Sequence, residues 1–214
     1  MDAEQASRIM TIFGAWLSCP DTRQACIPKS HIKQRIIIMP TPKIGLIGGL
    51  GPLSTIDYYM GIVERFHKDF GMDDYPELVI DSLSLKKFYN FIESNDLNGI
   101  VTWFLNSIDS LKSAGASFCA ICSNTPHLFQ RDIFNGSSLE MVSIVDATIR
   151  HIEEKGYRKV LILGTPLTMG CGLYDKPMPN HGIEPIIPGE EDTTEIGNII
   201  FPNLENAIII SEYK

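Results

Sequence analysis

Apolar residues in this chain gather in short unbroken runs, and longer stretches of mixed polarity lie between them. Three of the runs close on Gly or Thr followed by Pro: Ile44 to Gly51-Pro52, Phe118 to Thr125-Pro126, and Val160 to Thr165-Pro166. Their length and β-branched content suit strands buried on both faces. Proline suits the first helical position, where its missing N–H costs nothing. Each run therefore predicts a strand, a tight turn and a helix start.

The full pattern predicts strands over 44–47, 78–83, 118–122, 141–145, 159–163 and 183–187. Helical stretches are expected over 52–70, 85–114 and 147–155, with further helix starts at Pro126, Pro166 and about Thr193. Alternation at this spacing means βαβ units, so the expected fold class is α/β with a parallel sheet. Residues 43–49 (KIGLIGG) and 159–165 (KVLILGT) match in polarity at an offset of 116, which suggests two similar halves, 43–125 and 126–214. On that offset the counterpart of the Phe118–His127 segment falls beyond Lys214, so the second half is expected to lack its return to the first. Residues 1–42 show no clear period and end in a Pro-bounded stretch, which reads as a poorly packed extension.

Ser, Thr and Asn at a helix start satisfy orphan backbone N–H groups, and the helix end carries partial positive charge. If the carboxyl edge of one sheet gathers the three turns, they form a site for a small anion, best one with two carboxylates.

Composition narrows the ligand. The chain has 214 residues, 44% hydrophobic and 21% charged, enough for one or two domains with real cores. Its formal net charge is −8. Five basic and three acidic side chains fall in 1–42, which leaves −10 for the remainder. An acidic surface argues against nucleic acid and anionic membranes as partners. No apolar stretch is long enough to span a bilayer. The 9–17 segment resembles an export signal, but Asp2 and Glu4 stand where a basic region belongs, so the expected compartment is the cytoplasm.

Five cysteines form no regular framework, which fits a reduced setting. Cys119 and Cys122 mimic a CxxC motif, but inside a strand i and i+3 point to opposite faces, and no metal is expected there. The glycines from Gly45 to Gly51 fit neither dinucleotide nor Walker spacing: the third Rossmann glycine falls on Ser54, Asp81 lies too far on, and no Gly-Lys-Ser/Thr follows. They either permit a tight turn or hold a ligand by backbone N–H groups. Ser123-Asn124-Thr125 offers more hydrogen-bonding groups than one cap needs, and reads as an over-decorated N-cap or as a binding turn. His127 reads as a partly exposed residue of the first helical turn. Thr165 and Thr168 repeat the device, with Tyr174 on the same segment. Glu190, Glu191 and Asp192 read as a solvated helix start.

Taken together, GLIGGLGPLSTIDYY from Gly45 to Tyr59, SNTPH from Ser123 to His127 and LGTPLTM from Leu163 to Met169 closely resemble the aspartate/glutamate racemase family of the Asp/Glu/hydantoin racemase superfamily. The resemblance runs from about Lys43 to Ser211. It implies two similar α/β halves with a site between them, commonly in a homodimer, and cofactor-independent racemisation of aspartate or glutamate. In the family mechanism one thiol removes the α-proton and a second returns one on the opposite face. The first such cysteine falls on Ser123. The implied substrate-binding positions are Gly49, Leu50, Gly51, Asn124, Thr125, Thr165 and Thr168. The second cysteine belongs to a Gly-Cys-Thr-Glu motif that this sequence does not contain. Cys122 is a poor replacement on the strand argument, and Cys171 a remote one. Lys86 and Lys87 are candidates for a distal carboxylate by position only. Because a hydroxyl is a far weaker acid than a thiol, with its pKa of about 8.5, the expectation is slow racemisation or none. The competing reading is an inactive relic that binds carboxylates or amino acids.

Overall fold

A computed structural model describes residues 42–70 and 75–201. The proposed 1–42 extension lies almost wholly outside them. The elements run β1 (Ile44–Gly48), α1 (Pro52–Phe70), β2 (Leu78–Ser82), α2 (Leu85–Glu93), α3 (Leu97–Ser113), β3 (Phe118–Ile121), a 3-10 turn (Thr125–Phe129) and α4 (Gln130–Gly136). There follow β4 (Glu140–Val142), α5 (Ile144–Glu154), β5 (Lys159–Leu161), α6 (Pro166–Gly170), a second 3-10 turn (Met178–His181), β6 (Glu184–Ile186) and α7 (Glu190–Ile200).

Four strands form a parallel sheet in the order β2-β1-β3-β4, and β5 and β6 form a separate parallel pair. The α/β class with parallel strands is as expected. The sheets do not divide at 125/126, however, because β4 pairs with β3 through Phe118 opposite Glu140 and so extends the larger sheet.

Burial is nearly continuous along the central strands, as a doubly covered sheet requires, and successive side chains enter opposite cores. Leu46, Phe118 and Ala120 enter one core with Tyr58 and Ile62 of α1 and Ile149 and Ile152 of α5. Ile47, Cys119 and Ile121 enter the other with Phe88 of α2, Ile100, Phe104 and Ile108 of α3, and Ile133 of α4. The first core continues into Ile162, Met169, Tyr174, Met178 and Ile183, so the smaller sheet packs into the same apolar layer.

Local chemistry explains where elements start and stop. The single helical span expected over 85–114 is two helices. Asn95 takes a left-handed φ of 54°, and the Asp96 carboxylate accepts from the Gly99 N–H at 2.8 Å to start α3. The fourth strand ends at Val142 rather than 145, since Ser143 caps α5 by accepting from the Asp146 N–H. The run at Pro126 winds first as a 3-10 turn and only then as α4.

The turn after β1 depends on glycine. At Gly49, φ is 81° and a Cβ would overlap the Leu83 carbonyl oxygen, while its N–H donates to Thr55 Oγ1 at 3.0 Å. Gly49→Ala is expected to cost on the order of 1–3 kcal/mol, from strain at that backbone conformation. Gly170→Ala, where a Cβ meets nothing within 4 Å, should leave stability unchanged or slightly raised. Urea unfolding midpoints for the two variants check the contrast; equal losses would contradict it.

Candidate active site

In the order β2-β1-β3-β4 the chain leaves β1 toward one side and returns to β3 on the other, so the crevice between their carboxyl ends is a topological switch point. The Ile47 carbonyl accepts from the Cys122 N–H at 2.8 Å and the Gly48 carbonyl from the Leu83 N–H at 2.9 Å. These bonds hold the loops after β1, β2 and β3 side by side. A cavity of about 330 Å³ opens there.

Leu50, Gly51, Ser123, Asn124, Thr125, Thr165 and Thr168 all line this cavity, so the three Pro-marked turns meet at one hollow. Gly49 does not line it, because its conformation and N–H serve the turn itself. Lys86 and Lys87 do not line it either, and the Lys87 ammonium lies 5.0 Å from the centre of the Trp103 ring. Asp57, Tyr58, Leu85, Phe88 and Tyr89 were not singled out from the sequence and line the cavity. Helical spacing could have pointed to Asp57 and Tyr58 on the second turn of α1. The α2 residues come in through tertiary packing alone.

The polar turns are cross-linked. Thr165 Oγ1 accepts from the Thr168 N–H at 3.2 Å, an N-cap as expected, and lies 3.0 Å from Thr168 Oγ1 and 3.3 Å from Thr125 Oγ1. The 3-10 turn has no side-chain cap. Asn124 is therefore not a cap: its Oδ1 accepts from the Tyr174 hydroxyl at 2.6 Å. At the start of α1 the Leu53 and Ser54 N–H groups have no intrahelical acceptor, and both residues line the cavity.

His127 departs from expectation, being only 4% exposed. Nδ1 lies 2.9 Å from the Ser123 carbonyl oxygen, which can only accept, so Nδ1 carries the proton. Nε2 then accepts from the Ile144 N–H at 3.5 Å. Burial lowers its pKa to about 4, against the opposing pull of the Ser123 and Asn124 backbone, so the imidazole stays neutral. His127 holds the backbone of Ser123 rather than its hydroxyl.

Cys119 and Cys122 enter opposite cores, as the strand argument requires. Cys122 nevertheless lines the cavity beside Ser123, so facing does not exclude it as a base. Burial pushes the Cys122 thiol far up and the Cys119 thiol to about 12, which disfavours the thiolate at both. Cys171 is exposed and lines a different hollow with Arg131 and Lys176. Tyr58 has a buried hydroxyl with no hydrogen-bond partner. Burial raises it well above the usual phenol range, with Cys122 and Tyr174 adding to the effect. Among the described residues no group of three or more His, Cys, Asp or Glu could hold a metal ion, and no helix is long and apolar enough to cross a membrane.

The family profile described as Asp/Glu/hydantoin racemase matches residues 47–209. The chain belongs to this family. A broad specificity amino-acid racemase, RacX, from Bacillus subtilis is 27% identical over 147 residues, 67% of this chain and 63% of the relative. This racemase-family chain thus spans less than two thirds of the curated relative it matches. A crystal structure of a candidate Asp/Glu racemase from Yersinia pestis superposes with a TM-score of 0.72 at 31% identity, covering 80% of this chain and 75% of the other. An aspartate racemase homologue from Pyrococcus horikoshii gives 0.67 at 38%, covering 78% and 73%.

The buried neutral His127 predicts how this racemase-family chain responds to acid. Its folded pKa lies below the unfolded value of 6.5, so the unfolded state binds more protons between pH 6.5 and 4. Stability contributed by the neutral ring is present above pH 6.5 and lost as pH falls toward 4. Wild type should lose about 2 kcal/mol more than His127→Asn between pH 7 and pH 5. Urea titrations at the two values measure this, and parallel losses would place the titration elsewhere.

Proposed function

We propose that the cavity binds a small amino acid by its carboxylate, aspartate or glutamate first among candidates, and that proton transfer at the α-carbon is slow in this chain. The convergence of the three turns carries the reading, with the Thr125 and Thr165 hydroxyls hydrogen-bonded to each other at 3.3 Å on its wall. A carboxylate accepts from the orphan N–H groups at the start of α1 and from the Asn124, Thr125 and Thr165 side chains. The Asp57 carboxylate supplies counter-charge for the α-ammonium. With Lys86 and Lys87 outside the cavity, a second carboxylate would be met by hydroxyl and N–H donors rather than by an ammonium.

Racemisation needs a base on the α-proton and a proton donor on the opposite face. N–H donors near the carboxylate stabilise the carbanion-like transition state, which lowers the barrier but removes no proton. Ser123 stands where the family resemblance puts the first thiol. His127 does not activate the hydroxyl, because the neutral ring is committed to the Ser123 carbonyl and the Ile144 N–H. Burial disfavours the Cys122 thiolate. These observations favour binding over turnover.

Calorimetric titration with both enantiomers of aspartate and glutamate tests the site, and α-proton exchange in deuterium oxide tests the chemistry. Binding with little or no exchange is expected in wild type. Ser123→Cys should raise exchange on the order of 100-fold, the usual worth of a positioned general base, and leave affinity within about threefold. Absence of binding would overturn the reading of the cavity. Exchange in wild type at ordinary enzymatic rates would overturn the assignment of Ser123 as a poor base.

A further inference from the structure

We infer that Tyr174 is a positioning residue that sets the Asn124 carboxamide with its NH2 group toward the cavity, so that it donates to a bound carboxylate. The inference rests on the amino-acid site proposed above.

An asparagine side chain has an accepting and a donating end of nearly equal size, and rotation about its last bond exchanges them. Facing an anion, one orientation attracts and the other repels. At Asn124 the Tyr174 hydroxyl donates to Oδ1 at 2.6 Å, which leaves the two Nδ2 hydrogens for the other side. Asn124 lines the cavity, and Tyr174 is only 7% exposed within the core shared with Met169, Leu173 and Met178. The phenol is therefore anchored by packing, and the carboxamide takes its orientation from it. Burial pushes the Tyr174 pKa up to about 12, against the opposing pull of Thr148, so the hydroxyl keeps its proton throughout the working pH range.

The two residues are 50 positions apart and come from the loops after β3 and α6. Orientation fixed before the ligand arrives spares the cost of ordering it on binding. The same bond explains why Asn124 leaves the 3-10 turn uncapped: its acceptor is already used.

Tyr174→Phe keeps the ring in the core and removes only the hydroxyl. It should weaken binding of aspartate or glutamate by about tenfold, the worth of one oriented hydrogen bond, with the melting temperature of the free protein little changed. Asn124→Ala should weaken binding at least as much. On the Asn124→Ala background, Tyr174→Phe should add less than about twofold, because residues acting through one another are not additive. A full additional loss on that background would show that Tyr174 acts by another route and would overturn the inference. Side-chain amide spectra give a second readout without ligand: the Asn124 carboxamide signals should shift and exchange faster in Tyr174→Phe. Unmoved signals would overturn the inference even if affinity falls. Failure of wild type to bind any amino acid would sink the proposed function, and the carboxamide signals would still report whether the clamp exists.

Discussion

The parallel register of β1 against β3, from Ile44 opposite Phe118 to Ile47 opposite Ile121, is the constraint on which the cavity depends. It ends both strands at the same level, so the Gly48–Gly51 turn and the Cys122–Thr125 turn leave the sheet edge as neighbours. A slip of one residue would turn Leu46 and Ile47, both fully buried, into the wrong cores and carry the two turns out of alignment. Burial of the sheet on both faces thus sets the geometry of the polar edge.

The third turn joins by a different force. Thr165 follows the smaller sheet, and no strand pairing ties that sheet to the larger one among the described residues. The apolar layer shared by α1, α5 and the segment around Met169, Tyr174 and Met178 brings it in. Two polar bridges then close the hollow, Thr125 to Thr165 and Asn124 to Tyr174. Hydrophobic burial supplies the energy of this arrangement and does not depend on direction, whereas the hydrogen bonds add little net stability and set which atoms face a ligand.

Family membership and turnover rest on different atoms. The family match and the fold place the chain among Asp/Glu/hydantoin racemases, while the slow proton transfer proposed for it turns on the base and the proton donor at the α-carbon. On the proposed reading Ser123 and the buried Cys122, neighbours in sequence and both at the cavity wall, are poor bases. One holds its proton through the chemistry of a hydroxyl, and the other because its thiolate would sit in an apolar surround.

What the sequence by itself determined was the strand-turn-helix rhythm, the identity of the three turns and the alternation that sends Cys119 and Cys122 to opposite cores. These are local matters: β-branched runs, proline at a helix start and a side-chain period of two act over a few residues. Tertiary structure alone decided that His127 is buried and neutral, that Asn124 serves Tyr174 instead of a cap, that Lys86 and Lys87 lie outside the cavity, and that β4 belongs to the larger sheet. Each of these depends on a partner 16 to 50 positions away or on the depth of burial, and a residue's charge, tautomer and free hydrogen-bonding groups are set by those surroundings rather than by its neighbours along the chain.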